Sequence, residues 1–121
     1  MYPAFPSTSI NGNQTVYVAW HGVYTSANEP SAQILMPKCK VKKIELYVYS
    51  NTIGGNTTIT LRKNGEDTGV SITIQSGGTG RYSTTCDIDF NENDLLSIRI
   101  DLGGTPGQNI VVRGGNIWLE L

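Results

Sequence analysis

Apolar residues recur at every second position along most of this chain, the period that puts alternate side chains on one face of a β-strand. From Gln14 to Trp20, Val16, Val18 and Trp20 fall on one face and Thr15, Tyr17 and Ala19 on the other, until His21-Gly22 interrupts the pattern. After a polar loop containing Asn28-Glu29-Pro30, Ala32, Ile34 and Met36 alternate with Gln33 and Leu35, and Pro37 stops the segment. The clearest strand runs from Lys42 to Ser50, with Ile44, Leu46 and Val48 on one face and Lys43, Glu45, Tyr47 and Tyr49 on the other. Asn51 to Asn56 reads as a connection. Thr57 to Lys63 alternates again, with Ile59 and Leu61 inward, and ends at Asn64-Gly65. Both residues tolerate the left-handed backbone of a type I′ turn, so this dipeptide predicts a hairpin. The next strand points Val70, Ile72 and Ile74 inward and breaks at Ser76-Gly77-Gly78. Arg81 to Phe90 places Tyr82, Thr84, Cys86, Ile88 and Phe90 on one face, and Asn91 to Asp94 turns into Leu96, Ile98, Ile100 and Leu102. A Gly-rich loop, Gly103 to Asn109, leads to a last segment from Ile110 to Leu121. There Gly114-Gly115 marks a bulge and Ile117, Leu119 and Leu121 face inward.

About eight strands at this spacing, with no amphipathic helix and no internal repeat, predict an all-β fold. The expected architecture is an eight-stranded antiparallel β-sandwich, jelly-roll-like in first place and immunoglobulin-like in second. Periodicity does not separate the two, because topology depends on which strands pair. Residues 14–121 read as a single β-sandwich domain. Residues 1–13 hold Pro3 and Pro6 and little alternation, and read as an N-terminal arm or tail, with Tyr2 and Phe5 as the apolar anchors of an arm.

Composition sharpens this picture. Val, Ile, Thr, Tyr, Phe and Trp supply 43 of the 121 residues and Ala only four, a bias toward half-buried pleated surfaces. A formal net charge of -1 argues against a general nucleic-acid binder, which needs a basic excess to neutralise phosphates. No apolar run approaches the ~20 residues of a membrane span. The first six residues lack the basic start and long apolar segment of a signal peptide. No cofactor, nucleic acid or membrane is expected.

Catalytic chemistry has little to stand on. The single histidine, His21, has no motif nearby that would supply a nucleophile and an orienting carboxylate, so it reads as structural and the protein as a non-enzyme. Cys39 and Cys86 could pair if their strands are neighbours, yet Cys86 on an inward face reads better as a buried thiol. Asp87, Asp89 and Asn91 have the spacing of the start of a calcium loop. The sixth and twelfth positions are Glu92 and Ile98 where glycine and glutamate are needed, so these carboxylates read as outward, solvated charges beside a turn. Two formal glycosylation sequons begin at Asn13 and Asn56 and carry weight only in a secreted eukaryotic protein. The suggestive feature is aromatic. Tyr47 and Tyr49 lie two apart on an outward strand face, and Trp118 points opposite to Ile117 and Leu119. Such aromatics mark an interface, a sugar-stacking surface or a face covered by a loop or the N-terminal segment; a self-association interface of Tyr47, Tyr49 and Trp118 is the reading carried forward.

The stretch Thr57-Ile-Thr-Leu-Arg-Lys-Asn-Gly-Glu-Asp-Thr-Gly, continued by Val70-Ser-Ile-Thr-Ile and a Gly-rich tip, resembles the small jelly-roll sandwich proteins of tailed phages. So does Asp94-Leu-Leu-Ser-Ile-Arg-Ile with the Gly-rich loop and terminal apolar strand, so that the likeness spans roughly Lys40 to Leu121. Those proteins include capsid decoration, or cement, proteins and the heads of tail or head fibres, commonly trimeric. The resemblance implies a virion structural protein made in a bacterial cytoplasm and placed on the outer capsid surface. Its partners would be itself, as a homotrimer, and the major capsid protein, contacted through Tyr2 and Phe5. The alternative it implies is a receptor- or carbohydrate-binding fibre head, with a glycan partner and specificity in the loops at 51–56, 76–80 and 103–109.

Overall fold

The computed structural model describes residues 2–3, 7–18 and 25–121. Among them the chain forms strands β1 (Tyr2–Pro3), β2 (Ser7–Asn11), β3 (Gln14–Val18), β4 (Thr25–Ser26), β5 (Ile34–Leu35) and β6 (Cys39–Asn51). Five more follow: β7 (Thr57–Lys63), β8 (Glu66–Ile74), β9 (Gly80–Phe90), β10 (Leu95–Leu102) and β11 (Asn109–Glu120). One sheet runs β2-β11-β6-β9, with β1 also on β11; the other runs β3-β10-β7-β8, with β4 on β3 and β5 on β10. Every pairing is antiparallel. Among the longer strands, only β7 and β8 follow one another within a sheet, joined by the tight Asn64-Gly65 hairpin. The other connections carry the chain across to the opposite sheet, which makes the sandwich a jelly roll.

Local chemistry explains these elements. Asn64 and Gly65 take φ of 52° and 79°, the left-handed pair that a type I′ turn needs. The inward rows of the two sheets close one core, in which Val41, Ile44, Leu46, Ile59, Leu61, Phe90, Ile98, Ile100 and Ile117 are all buried. Gly114, at φ 113°, lies in a bulge where β11 carries one more residue than β6 between the pairs Val112–Val48 and Gly115–Leu46. A second irregularity surrounds Lys42. It lets Val41 and Ile44, three residues apart, both reach the core, so β6 extends back to Cys39 where strict alternation started it at Lys42.

Three expectations need correction. Residues 32–36 are not one strand: Pro30 sits in the first turn of a 3₁₀ segment, Glu29–Ala32, and only Ile34–Leu35 pairs with β10. Proline's fixed φ and missing N–H suit that turn better than a ladder. Leu121 is 92% exposed, because the β11 ladder ends at the Glu120–Lys40 pair and leaves the next residue unpaired. The segment 1–13, expected as an arm or tail, contributes β2 to the sandwich, with Ile10 in the core beside Ile110. A single apolar residue in Ser7-Thr8-Ser9-Ile10 left no alternation to read; the ladder comes from β11. The backbone of Tyr2 pairs with Ile117, while Phe5, Ala19, Trp20 and His21 lie outside the described residues.

Candidate functional site: the aromatic face of the β2-β11-β6-β9 sheet

Register across β11, β6 and β9 builds the outer face of this sheet row by row. Trp118, Lys43 and Thr85 form one row, and Asn116, Glu45 and Ser83 the next. In the third row Tyr47 stands opposite Arg81, with the Arg113-Gly114 bulge on its other side; Tyr49 lies one step beyond. Tyr47, Tyr49 and Trp118 are 47%, 57% and 40% exposed, so all three aromatics singled out in the sequence share this face. The row holding Glu45 separates Trp118 from the tyrosines.

Glu45 organises the centre. Its Oε1 accepts bonds from Trp118 Nε1 at 3.0 Å and Asn116 Nδ2 at 3.1 Å, and its Oε2 lies 3.3 Å from Lys43 Nζ. The Trp118 bond above all, then that of Asn116, with help from Lys43, holds the carboxyl below its ordinary range against the opposing effect of burial. Lys43 Nζ in turn sits 5.6 Å from the Trp118 ring centre. At the tyrosine end the Arg113 guanidinium lies 4.2 Å from the centre of the Tyr49 ring, a cation–π contact that fixes both. Because Gly114 and Gly115 carry no side chains, a shallow depression of about 420 Å³ opens there, bounded by Tyr47, Arg81, Arg113, Asn116 and Glu45. The sequence pointed to the aromatics and set Glu45 in the row of the tyrosines, but assigned no role to Glu45, Arg81 or Arg113. Their convergence depends on register between strands far apart in the chain, and only the glycine pair hinted at it.

The outer face of the second sheet is different in kind. Arg62 Nε contacts Glu29 Oε2 at 2.6 Å, and Arg99 bridges Asp67 and Asp101 at 3.0 and 2.8 Å. Ser97 Oγ donates to Glu29 and Thr15 Oγ1 to Asp101. Among the described residues the ion pairs of this face close on one another, and the large apolar side chain exposed on this sheet is Leu35 of β5, at 61%. The loops at 51–56, 76–80 and 103–109 are gathered at one end of the sandwich and bonded to one another. Ser76 Oγ donates to the Ile53 carbonyl at 3.0 Å, and Gln108 Oε1 accepts from the Gly54 and Thr105 amides, each at 2.9 Å.

The remaining candidates are placed as follows. Asp87 and Asp89 point outward and meet lysines, Lys42 at 3.3 Å and Lys40 at 2.9 Å respectively. Cys39 and Cys86 are free thiols; Cys39 faces Phe90 across the β6–β9 ladder, and Cys86 Sγ lies 3.3 Å from the Val41 carbonyl oxygen. Burial raises both thiols above their ordinary range, which keeps them unreactive. Among the described residues no three His, Cys, Asp or Glu side chains come together as a metal site, and no helix is long and apolar enough to cross a membrane. No protein-family model matches the chain, and no curated protein matches it in sequence.

Proposed function

We propose that this is a non-enzymatic assembly protein of a phage virion: a capsid decoration, or cement, protein that self-associates, as a trimer, through the aromatic face. The observation that carries the reading is the contrast between the two sheets. One outer face closes its ion pairs among themselves, whereas the other exposes Tyr47, Tyr49 and Trp118, with Trp118 held by Glu45 and Tyr49 by Arg113. Rings that are already ordered lose little entropy when a partner covers them, so a preorganised aromatic face favours association. On the shell the protein would act by mass action, since binding the assembled lattice better than free subunits stabilises the lattice. The N-terminal segment with Tyr2 and Phe5 is the proposed capsid contact; the backbone of Tyr2 lies beside Ile117 on β11. The resemblance to phage sandwiches supplies the virion setting.

A fibre-head reading draws on the clustering of the three loops at one end, where a glycan receptor could dock. Light scattering over a range of concentrations is the first test. A trimer that becomes a monomer in Y47S/Y49S, with an unchanged far-UV spectrum, is the expected result. A wild type that stays monomeric at every concentration refutes self-association, and specific glycan binding by that monomer would favour the fibre head.

A further inference from the structure

The charges on this molecule are unevenly settled. Of nine basic side chains, Lys40, Lys42, Lys43, Arg62, Lys63 and Arg99 make ion pairs. Arg81 and Arg113, with Lys38, have no carboxylate partner among the described residues. Two of these three cations therefore border the same depression, on either side of Tyr47. Their strands are separated only by β6, so the two Cα atoms stand about 10 Å apart, within joint reach of one small anion. The contact of Arg113 with the Tyr49 ring uses no N–H···O hydrogen bond, so its N–H groups can serve a bidentate acceptor. Glu45, the nearest acid, is occupied by Trp118, Asn116 and Lys43 and supplies no partner for them.

The unpaired acids are as unevenly placed. Of ten acidic side chains, Glu66, Glu92 and Glu120 have no ion pair among the described residues. All three stand at the end of the sandwich away from the Gly-rich loops. Glu66 follows the Asn64-Gly65 hairpin, which is bonded to the Asn91–Asp94 turn that holds Glu92. Glu120 and Asn91 border one groove at that same end. Arg81 and Arg113 lie toward the opposite end of their sheet, near where β9 begins and β6 finishes.

Resting on the self-association reading above, we propose that the depression between Arg81 and Arg113 is a carboxylate-binding site. Its occupant is an acidic side chain from the Glu66, Glu92 and Glu120 end of a second copy of this chain. A face-to-face dimer would bring four unneutralised arginines together. A head-to-tail contact pairs them with the spare acids, and such a heterologous contact builds a ring where its rotation closes and a filament where it does not, rather than a two-fold dimer. The aromatic rings supply the area and the arginines the orientation.

Light scattering and sedimentation on three variants test this, with far-UV spectra confirming that each is folded. R81E/R113E should dissociate at least tenfold more readily than the wild type, and so should E66K/E92K/E120K. The combination of all five substitutions, which exchanges the signs, should assemble again. Raising salt should weaken the wild-type oligomer, because the contact is charged and lies at the surface. An oligomer that survives R81E/R113E, or a five-fold variant that stays dissociated, overturns the carboxylate site and leaves the aromatic interface standing. A monomeric wild type overturns both.

Discussion

Replacing Arg62 with methionine should cost this domain about 2–3 kcal/mol, and the structure says where that cost arises. Arg62 holds Glu29 through two bonds, Nε to Oε2 at 2.6 Å and Nη2 to Oε1 at 3.2 Å, and also meets Asp67 and the Gly65 carbonyl. The side chains of Arg62 and Glu29 are only 12% and 15% exposed. A solvent-exposed pair contributes roughly 0–1 kcal/mol, whereas stripping one partner from a fully buried pair costs about 3–5. The pair here lies between these limits and closer to the buried one. Methionine keeps the packed stem, so the loss isolates the charge. Among the described residues Glu29 is left with the Ser97 hydroxyl but no contacting cation. For a domain of this size that is a fall in Tm of roughly 6–12 °C, followed by circular dichroism alongside urea titration. E29Q/R62M should recover about half the loss, because it removes the stranded charge. The pH dependence has a definite sign. The bond to Arg62, foremost, depresses the Glu29 carboxyl, so its stabilisation is present above the ordinary glutamate range and disappears as pH falls through the depressed value. The gap between wild type and R62M should therefore narrow from pH 7 to pH 3. A gap under about 0.5 kcal/mol at pH 7, or one that does not narrow, would refute the reasoning.

Three further outcomes are expected. Gly65→Ala should lower the urea midpoint by the equivalent of about 1 kcal/mol, since Gly65 sits at φ 79° while a Cβ there would meet nothing closer than 3.7 Å. Thr57 Oγ1 is buried without a hydrogen-bond partner, so Thr57→Val, nearly the same shape, should leave stability unchanged or raise it by about 1 kcal/mol in the same titration. The Trp118 indole N–H resonance should hold its position as pH is lowered through the ordinary glutamate range. It should move only at lower pH, because the depressed Glu45 carboxyl keeps that bond until it protonates; Glu45→Gln should abolish the transition.

Strands β6 to β10 were legible because each repeats apolar residues at period two between turns rich in Gly and Asn. The face shared by Tyr47, Tyr49 and Trp118 was legible for the same reason, as parity along a strand fixes which way a side chain points. Where parity failed, a bulge or an edge was responsible. The irregularity at Lys42 shifted β6 by one residue, and β2 carries one core residue, Ile10, on a strand whose identity comes from its neighbour. Pairing is non-local, so neither the jelly-roll order nor the meeting of Arg81 with Arg113 could be read from local pattern. The charged lattice around Arg62 was hidden for the same reason, since Glu29 reaches it from a 3₁₀ turn that proline imposes.

The order of strands also has a consequence in time. β11 is flanked by β6 on one side and by β1 and β2 on the other, so residue 10 lies beside residue 110 in the finished sheet. On a ribosome the earliest strands of that sheet must wait for the latest, because the strand that joins them is the last of the eleven described to emerge. Until then β2 has no ladder and one long edge of β6 is open, a period in which a nascent chain is prone to pair with the wrong neighbour. Joining β11 then closes the sheet in one step, and folding is expected to be slow and nearly all-or-none, with its rate set by that late arrival.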